Sequence, residues 1–361
     1  MSSLFKFKVI KKSKKTNARV GEITTPHGKI QTPCFMPVAT AGAIRCLDTK
    51  TLNNELQANI LLANTYHLHL RPGDDIIKAS GSLHKYMNWP KPILTDSGGY
   101  QIFSLAKTRK ITPKGAYFSS HIDGSKHFLS PEKSIKIQQN LGSDIMMVLD
   151  ECPPSNCSYE YANNSLILTL KWAKRCKKQH NTIENSKQAL FGIVQGALFP
   201  DLRKKSVYEL LKIGFDGYAI GGLAVGETSN EMYKVLEYTT PLLPENKPRY
   251  LMGVGTPENI KEAIKNGIDM FDCVMPTRNA RHGYLFSSQG TIRIKQKKYK
   301  KDFSILDKNC SCSTCKNYTP SYLRHIFINN EPLSMYLNTI HNLNFYLNLV
   351  KEIRQEIIDE Q

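Results

Sequence analysis

Residues 270–281 read Met-Phe-Asp-Cys-Val-Met-Pro-Thr-Arg-Asn-Ala-Arg, an apolar run that delivers one carboxylate and then breaks at Pro276 into a turn with two arginines. If the run is a buried strand, Asp272 lies at its carboxyl end, where an unpaired charge is costly unless it has a chemical task. Arg278 and Arg281 carry forked donors suited to phosphate and to base edges. The pattern is compatible with a nucleophile beside a phosphate clamp, and equally with a strand end that pairs locally with an arginine.

This run is the last of eight short apolar runs that recur along the chain. They are Cys34–Val38, Ile60–Ala63, Pro92–Leu94, Ile145–Leu149, Leu190–Val194, Tyr218–Ile220, Tyr250–Gly253 and Met270–Cys273. Several are too apolar for half-exposed strands, which is typical of a parallel sheet covered on its outer face. Helix-like segments lie between them, including Asp48–Gln57, Pro131–Leu141, Tyr159–Lys178, Asp201–Ile213 and Pro257–Lys265. Ser130-Pro131-Glu132 provides a cap, a first-turn proline and an acidic residue in order.

Eight strand–helix units within about 250 residues predict an α/β fold of the (β/α)8 TIM-barrel type. An open doubly wound sheet is the alternative, but no Gly-rich phosphate-binding turn follows the first run. Polar residues gather where the runs end, and barrel enzymes place their catalytic groups at the carboxyl ends of strands. These residues are Asn64, Asp96, Asp150, Gln195, Gly222, Gly253 and Asp272.

We expect four regions along the chain. Residues 1–32 form an N-terminal antiparallel meander that closes one barrel end, residues 33–285 form the catalytic barrel, residues 286–345 form a zinc-binding C-terminal insertion, and residues 346–361 form a charged helix. A hairpin insertion at about 105–128 follows the third strand, with Lys110–Pro113 and His121–Gly124 as its strands. The basic segment Arg293–Lys301 reads as a solvated edge strand or as a direct RNA contact.

Composition restricts the classes of partner and location. The net charge of +18, from 49 basic and 31 acidic residues, favours a polyanionic partner, although lysine also rises with a composition rich in Asn and Ile. The 361 residues are 40% hydrophobic, which suffices for a large core. The chain has no run of 18 apolar residues that could span a membrane. Nine cysteines without a secretory signal predict a reducing, cytoplasmic location.

Three closely spaced thiols predict a structural zinc site. Cys310, Cys312 and Cys315 lie within six residues. Zinc takes four tetrahedral ligands, and a Cys3His set leaves no open position for a substrate water. Spacing alone leaves the fourth ligand open between His341 and the nearer His325.

Several segments together make the chain resemble the tRNA-guanine transglycosylases, the enzymes that begin queuosine modification. The segments Thr95–Gln101, Phe191–Gly196, Gly221–Glu227 and 270–281 occur in the family's order, and the resemblance runs from about Phe5 to about Val350. It implies one structural Zn2+ per subunit, a homodimer, and no redox or nucleotide cofactor. The zinc ligands that it implies are Cys310, Cys312, Cys315 and His341.

The resemblance also implies the reaction. We expect the wobble guanine of tRNAs with GUN anticodons to be exchanged for 7-aminomethyl-7-deazaguanine by double displacement. Asp272 is expected to be the nucleophile and Asp96 the proton acceptor, since retention at a sugar carbon uses a pair of carboxylates. The expected base-binding residues are Asp96, Ser97, Gly98, Gly99, Tyr100, Asp150, Gln195, Gly222, Leu223 and Met252.

The expected partners are a tRNA anticodon stem-loop, the free 7-deazaguanine base and guanine. Chemistry on a base requires that the base leave its stack. The expected RNA-binding residues are Gly253, Val254, Gly255, Thr256, Pro257, Glu258, Asn259, Thr277, Arg278, Asn279, Ala280 and Arg281. Ala39, His282 and Tyr284 depart from the family pattern.

Four other classes of protein are alternatives to a bacterial-type transglycosylase. A catalytically silent RNA-binding paralogue should lack a carboxylate, and both Asp96 and Asp272 are present. An archaeosine transglycosylase should carry a further RNA-binding domain, and a zinc-dependent barrel hydrolase needs an open metal position. Val225 and Cys152 match the bacterial pattern, whereas the eukaryotic, queuine-inserting enzymes have glycine at the position of Val225.

Overall fold

The computed structural model describes residues 4–105, 108–183 and 186–360. Its strands are β1 (Lys6–Lys12), β2 (Arg19–Thr25), β3 (Gly28–Thr32), β4 (Cys34–Met36), β5 (Val38–Ala39), β6 (Leu61–Ala63), β7 (Ile93–Thr95), β8 (Arg109–Thr112), β9 (Gly115–Ser119), β10 (Lys126–Leu129), β11 (Ile145–Met147), β12 (Ala189–Val194), β13 (Gly217–Ile220), β14 (Arg249–Leu251), β15 (Met270–Asp272), β16 (Tyr284–Ser287) and β17 (Gly290–Arg293).

Its α-helices are α1 (Thr49–Asn54), α2 (Thr65–Leu70), α3 (Asp74–Ala79), α4 (Leu83–Met87), α5 (Gly99–Leu105), α6 (Pro131–Leu141), α7 (Tyr159–His180), α8 (Pro200–Ile213), α9 (Ser229–Thr239), α10 (Pro257–Lys265), α11 (Met275–Arg281), α12 (Ser313–Asn317), α13 (Pro320–Ile328) and α14 (Pro332–Asp359). Short 3-10 helices cover Thr240–Leu242 and Lys297–Lys301. Among the described residues, no helix is both long and apolar enough to cross a membrane.

Eight parallel strands close into the predicted barrel. The order is β4-β15-β14-β13-β12-β11-β7-β6-β5, and β4 and β5 are two pieces of the first strand on either side of Pro37. β4 pairs with β15 and β5 pairs with β6, so the interrupted first strand joins both ends of the sheet. The barrel strands are buried on both faces, apart from the last residue of β15, because helices cover the outside. All eight predicted runs are therefore confirmed as barrel strands.

The N-terminal meander β1–β2–β3 covers the amino ends of the barrel strands. Arg19 forms two charge-assisted hydrogen bonds with Asp269, at 3.0 and 2.7 Å, just before β15. His27 bonds Asp144, just before β11, at 2.8 Å. Because this end is covered, a ligand has access only at the carboxyl ends of the strands, where barrel enzymes act.

The insertion after β7 differs in part from the prediction. It is a three-stranded antiparallel sheet in the order β10-β9-β8. Residues 110–112 lie in β8 as expected, but His121–Gly124 is a turn between β9 and β10 and not a strand. Asp123 explains the turn, since its carboxylate accepts hydrogen bonds from the backbone and hydroxyl of Ser125. Residues 106 and 107 of the predicted insertion lie outside the described part of the chain.

The C-terminal region packs against the barrel through one long helix. α14 spans 28 residues from Pro332 to Asp359, so the expected boundary at residue 345 falls inside it. The segment Arg293–Lys301 begins at the end of β17, an exposed strand, and continues into a 3-10 helix. Buried leucine and isoleucine side chains line the inner face of α14, among them Leu337, Ile340 and Leu343.

Candidate active site

Asp96 follows β7 and is held by three hydrogen-bond donors. The Thr65 amide donates to Oδ1 at 2.9 Å and the Gln101 side chain to Oδ2 at 2.8 Å, while the Asn64 side chain also donates to Oδ2. Burial raises the pKa of Asp96 to about 6 against these bonds, and the negative charge of Asp272 adds to the rise. Both oxygens are thus fixed, and the group titrates close to neutral pH.

Asp272, the last residue of β15, has a different environment. Its Oδ1 accepts from the Tyr250 hydroxyl at 2.5 Å and from the Gly253 amide at 2.8 Å. Its Oδ2 has no hydrogen-bond partner among the described residues. Burial raises the pKa of Asp272, and the two hydrogen bonds oppose this rise. One oxygen is therefore oriented by the protein and the other remains available for attack.

A third carboxylate, Asp150, lies after β11 and is paired with an amide. The Gln195 side chain donates to Oδ2 at 2.7 Å and the Ser97 hydroxyl to Oδ1 at 3.4 Å. Burial raises the pKa of Asp150 to about 6. The Oε1 atom of Gln195 is buried and has no partner among the described residues. This amide–carboxylate pair offers both donors and acceptors to a flat heterocycle.

Two glycines make room for this pair. A Cβ at Gly222 would lie 2.4 Å from Gln195 Oε1, and its φ of +65° also favours glycine. A Cβ at Gly99 would lie 2.8 Å from the Asp150 carbonyl oxygen. Both positions therefore require glycine for steric reasons, which explains the Gly-rich signatures in the sequence. Gly98, with φ +82°, completes the turn before α5.

The remaining expected base-site residues lie at the rim. Tyr100 on α5 is 49% exposed, Met252 is partly buried, and Leu223 is buried. Sequence reasoning did not assign a role to Glu227, whose carboxylate accepts from the Ala224 amide and, at 3.1 Å, from the Val225 amide. Glu227 could have been identified from the sequence because it is the last residue of the Gly221–Glu227 motif.

The expected RNA-binding residues divide into exposed and buried sets. Residues 275–281 form α11 and not a turn, because Pro276 occupies the first turn of a helix, where no amide donor is needed. The side chains of Val254 and Ala280 are buried in the core and cannot contact RNA directly. Thr277 and Gly255 are also buried, which leaves Gly253, Glu258 and Arg278 exposed and Thr256, Pro257, Asn259, Asn279 and Arg281 partly exposed.

The four expected metal ligands converge beside the barrel. The sulfurs of Cys310, Cys312 and Cys315 lie 3.6, 3.8 and 3.3 Å from His341 Nδ1. A tetrahedral zinc ion places sulfur and imidazole nitrogen about 3.5 Å apart. His341 Nε2 lies 2.6 Å from the Phe286 carbonyl and donates to it when Nδ1 binds metal.

The residues therefore fit a structural zinc ion with no open coordination position. His325 is exposed on α13 and lies outside this cluster. The side chain of Asn344 donates to Cys310 Sγ at 3.2 Å, as expected for a thiolate ligand.

Sequence reasoning missed the residues that hold the two catalytic candidates. Thr65, Gln101 and Tyr250 were not assigned roles, although Gln101 lies within the quoted Thr95–Gln101 motif. Thr65 and Tyr250 carry no sequence signal of their own, because their role depends on which strand ends become neighbours.

Paired carboxylates at an open barrel mouth are typical of enzymes that make and break glycosidic bonds, which places the protein among barrel enzymes of glycosyl transfer. The family model described as Queuine tRNA-ribosyltransferase matches residues 13–361. The chain belongs to this family of tRNA-guanine transglycosylases, which are pentosyltransferases.

Bacterial relatives cover nearly the whole chain. The queuine tRNA-ribosyltransferase of Halothermothrix orenii is 53% identical over 354 residues, which are 98% of this chain and 94% of the relative. That of Enterococcus faecalis is 52% identical over 355 residues, which are 98% of this chain and 92% of the relative. That of Streptococcus pneumoniae is 53% identical over 358 residues, which are 99% of this chain and 93% of the relative.

Proposed function

We propose that this chain exchanges the wobble guanine of tRNAs with GUN anticodons for 7-aminomethyl-7-deazaguanine, a step of queuosine biosynthesis. The proposal rests on the different hydrogen bonding of two carboxylates that lie at the carboxyl ends of barrel strands. Asp272 keeps one oxygen without a partner among the described residues, as a nucleophile requires, while Asp96 has both oxygens engaged and a pKa of about 6.

In the first displacement, an Asp272 oxygen forms a bond to C1′ of the ribose as the bond from C1′ to guanine N9 breaks. The departing guanine takes one proton from the Asp96 carboxyl group, which is left as a carboxylate. The product is a covalent ester between Asp272 and the RNA. Tyr250 and the Gly253 amide bind the other oxygen and keep the carboxylate in line with the sugar. Guanine is thereby released without hydrolysis, because the sugar carbon stays bonded to the enzyme.

In the second displacement, Asp96 accepts the proton from N9 of the incoming base. N9 then bonds to C1′ as the bond to Asp272 breaks, so the sugar keeps its original configuration. The proton lost by the incoming base balances the one gained by guanine. The cycle needs no ATP, because the energy of the glycosidic bond is retained in the ester.

The base site matches the edge of guanine and its 7-deaza analogue. A carboxylate such as Asp150 accepts from the ring and exocyclic N–H groups, and donors are needed at O6. The Gln195 amide and the Gly222 N–H supply them. Gly222 N–H has no acceptor among the described residues. Tyr100 and Met252 flank the site and stack on the two faces of the base.

We also propose a cytoplasmic homodimer. Phe303 is 75% exposed, and Ile305, Ile328 and Leu333 are exposed in the same C-terminal region. A set of exposed apolar side chains of this kind marks a protein contact surface. The nine cysteines form no disulfide in the structure, which agrees with a reducing compartment. Light scattering after gel filtration should give twice the chain mass, and Phe303→Asp should reduce it to one chain.

Trapping of the covalent intermediate tests the proposed reaction. Wild-type protein, mixed with a labelled anticodon stem-loop and denatured, should give a slow-migrating protein–RNA band. Asp272→Asn should give none while remaining folded, and Asp75→Asn, an exposed change on α3, should behave as wild type. Recovery of the band with Asp272→Asn would remove Asp272 as the nucleophile.

A further inference from the structure

Arg203 on α8 is a fully buried arginine that has no carboxylate partner among the described residues. Its guanidinium bonds backbone carbonyls instead. Nε donates to Ala197 at 2.8 Å, Nη1 donates to Val194 at 2.9 Å and to Gly221 at 2.7 Å, and Nη2 donates to Gly222 at 3.4 Å. Burial lowers the pKa of Arg203 to about 10, which still leaves it charged at neutral pH.

The Glu227 carboxylate favours the charged form of Arg203 without an ion-pair contact between them, so polar groups must replace the water that the guanidinium loses on burial. Here four carbonyl oxygens do so, and they come from two separate segments. Val194 and Ala197 flank Gln195 at the end of β12, whereas Gly221 and Gly222 form the turn after β13. The planar guanidinium thus ties together the carboxyl ends of two neighbouring strands, which a lysine ammonium could not span with the same geometry.

A second residue of α8 acts on the same place. The Ser206 hydroxyl, one helical turn after Arg203, accepts from the Gln195 backbone amide at 3.1 Å. Ser206 therefore fixes the backbone N–H of Gln195, and Arg203 fixes the carbonyls of Val194 before it and Ala197 after it. Gly222 is fixed through its own carbonyl, which sets the direction of its free N–H.

We propose that Arg203 is a positioning residue for recognition of the base carbonyl O6. It sets the distance between the two groups that donate to O6, the side-chain amide of Gln195 and the backbone N–H of Gly222. The inference rests on the proposed function, in which these two groups donate to O6. Arg203 does not touch the base. Positions held within about 0.5 Å are what such a two-donor site requires, and the guanidinium is the only described side chain that bonds carbonyls on both segments.

The experiment compares two free bases that differ at one atom. Guanine carries the carbonyl O6, and 2,6-diaminopurine carries an amino group in its place. Inhibition constants for both are measured in the exchange assay, and their ratio reports O6 recognition. In Arg203→Lys the preference for guanine should fall by at least about tenfold, the effect of one imperfect hydrogen bond in a buried site. Affinity for the RNA stem-loop should stay as in the wild type.

A matched control separates positioning from general destabilisation. Leu210→Ala removes a fully buried side chain from the same helix and should lower the melting temperature, and Leu210 is not one of the proposed base-binding residues. Its preference for guanine should remain that of the wild type. Equal losses of preference in Leu210→Ala and Arg203→Lys would overturn the inference, as would an unchanged ratio in Arg203→Lys.

If Arg203→Lys does not fold, Ser206→Ala is the second variant. This change removes the hydroxyl that accepts from the Gln195 backbone N–H, and it should lower the preference for guanine over 2,6-diaminopurine. An unchanged preference would then overturn the inference. If the wild-type enzyme exchanges guanine but binds guanine and 2,6-diaminopurine equally well, the inference about Arg203 is overturned and the proposed function is not. Absence of exchange and of the covalent adduct in the wild type would instead refute the proposed function.

Discussion

Replacing Asp96 with asparagine should change how stability depends on pH as well as removing activity. Burial raises the pKa of Asp96 from 3.8 to about 6, so the folded protein keeps a proton that the unfolded chain has released. This group therefore stabilises the fold at low pH, and the stabilisation is lost as the pH rises through about 6. Across the whole shift the change is about 3 kcal/mol, and between pH 5 and pH 8 it is about 1 kcal/mol.

Urea denaturation at pH 5, 6, 7 and 8 measures this change. The free energy of unfolding of Asp96→Asn, relative to the wild type, should rise by about 1 kcal/mol from pH 5 to pH 8. Asp123→Asn is the control: hydrogen bonds from Ser125 lower the pKa of Asp123 to about 2, so the group is ionised in both states throughout this range. A constant difference between Asp96→Asn and the wild type would refute the conclusion that burial raises the pKa of Asp96.

Three further changes test the metal site, the base pocket and the RNA surface. Cys312→Ala should lose zinc, measured by metal analysis, and should destabilise the C-terminal region, because structural zinc contributes on the order of 10 kcal/mol in small zinc domains; full occupancy would contradict the ligand set. Val225→Gly should raise kcat/KM for queuine more than it lowers kcat/KM for 7-aminomethyl-7-deazaguanine, because a branched side chain at the rim excludes a bulky substituent; equal values for both bases in the wild type would contradict this. Arg278→Ala should weaken stem-loop binding and its salt dependence, with free-base affinity unchanged and Lys261→Ala as the exposed control; equal losses for both ligands would mean that Arg278 supports the pocket.

The barrel could be predicted because its strands are short apolar runs with polar residues after them. The observed strands β12 (Ala189–Val194) and β15 (Met270–Asp272) match the predicted runs Leu190–Val194 and Met270–Cys273 to within one residue. A strand that is buried on both faces must be apolar throughout, so burial leaves a direct mark on the sequence. The positions of Asp96, Asp150 and Asp272 followed from the same pattern, since a barrel gathers its strand ends at one mouth.

The features that could not be predicted depend on contacts between distant segments. Arg203 stands beside Lys204 and Lys205 on an amphipathic helix and looks like another surface cation, although it is fully buried. Pro276 predicted a turn, but a proline is equally suited to the first turn of a helix, and residues 275–281 form α11. His121–Gly124 was interpreted as a strand, and only the pairing of β9 with β10 identifies it as the turn between them.

The helix that carries His341 also holds α11, the helix that follows Asp272. On α14, Asn338 donates to the Ala280 carbonyl at 3.2 Å and Asn342 donates to the Pro276 carbonyl at 2.9 Å, and both carbonyls belong to α11. The metal ligand lies between these two asparagines in the sequence. If α11 binds RNA as proposed, loss of zinc should lower the affinity for the anticodon stem-loop more than the affinity for the free base.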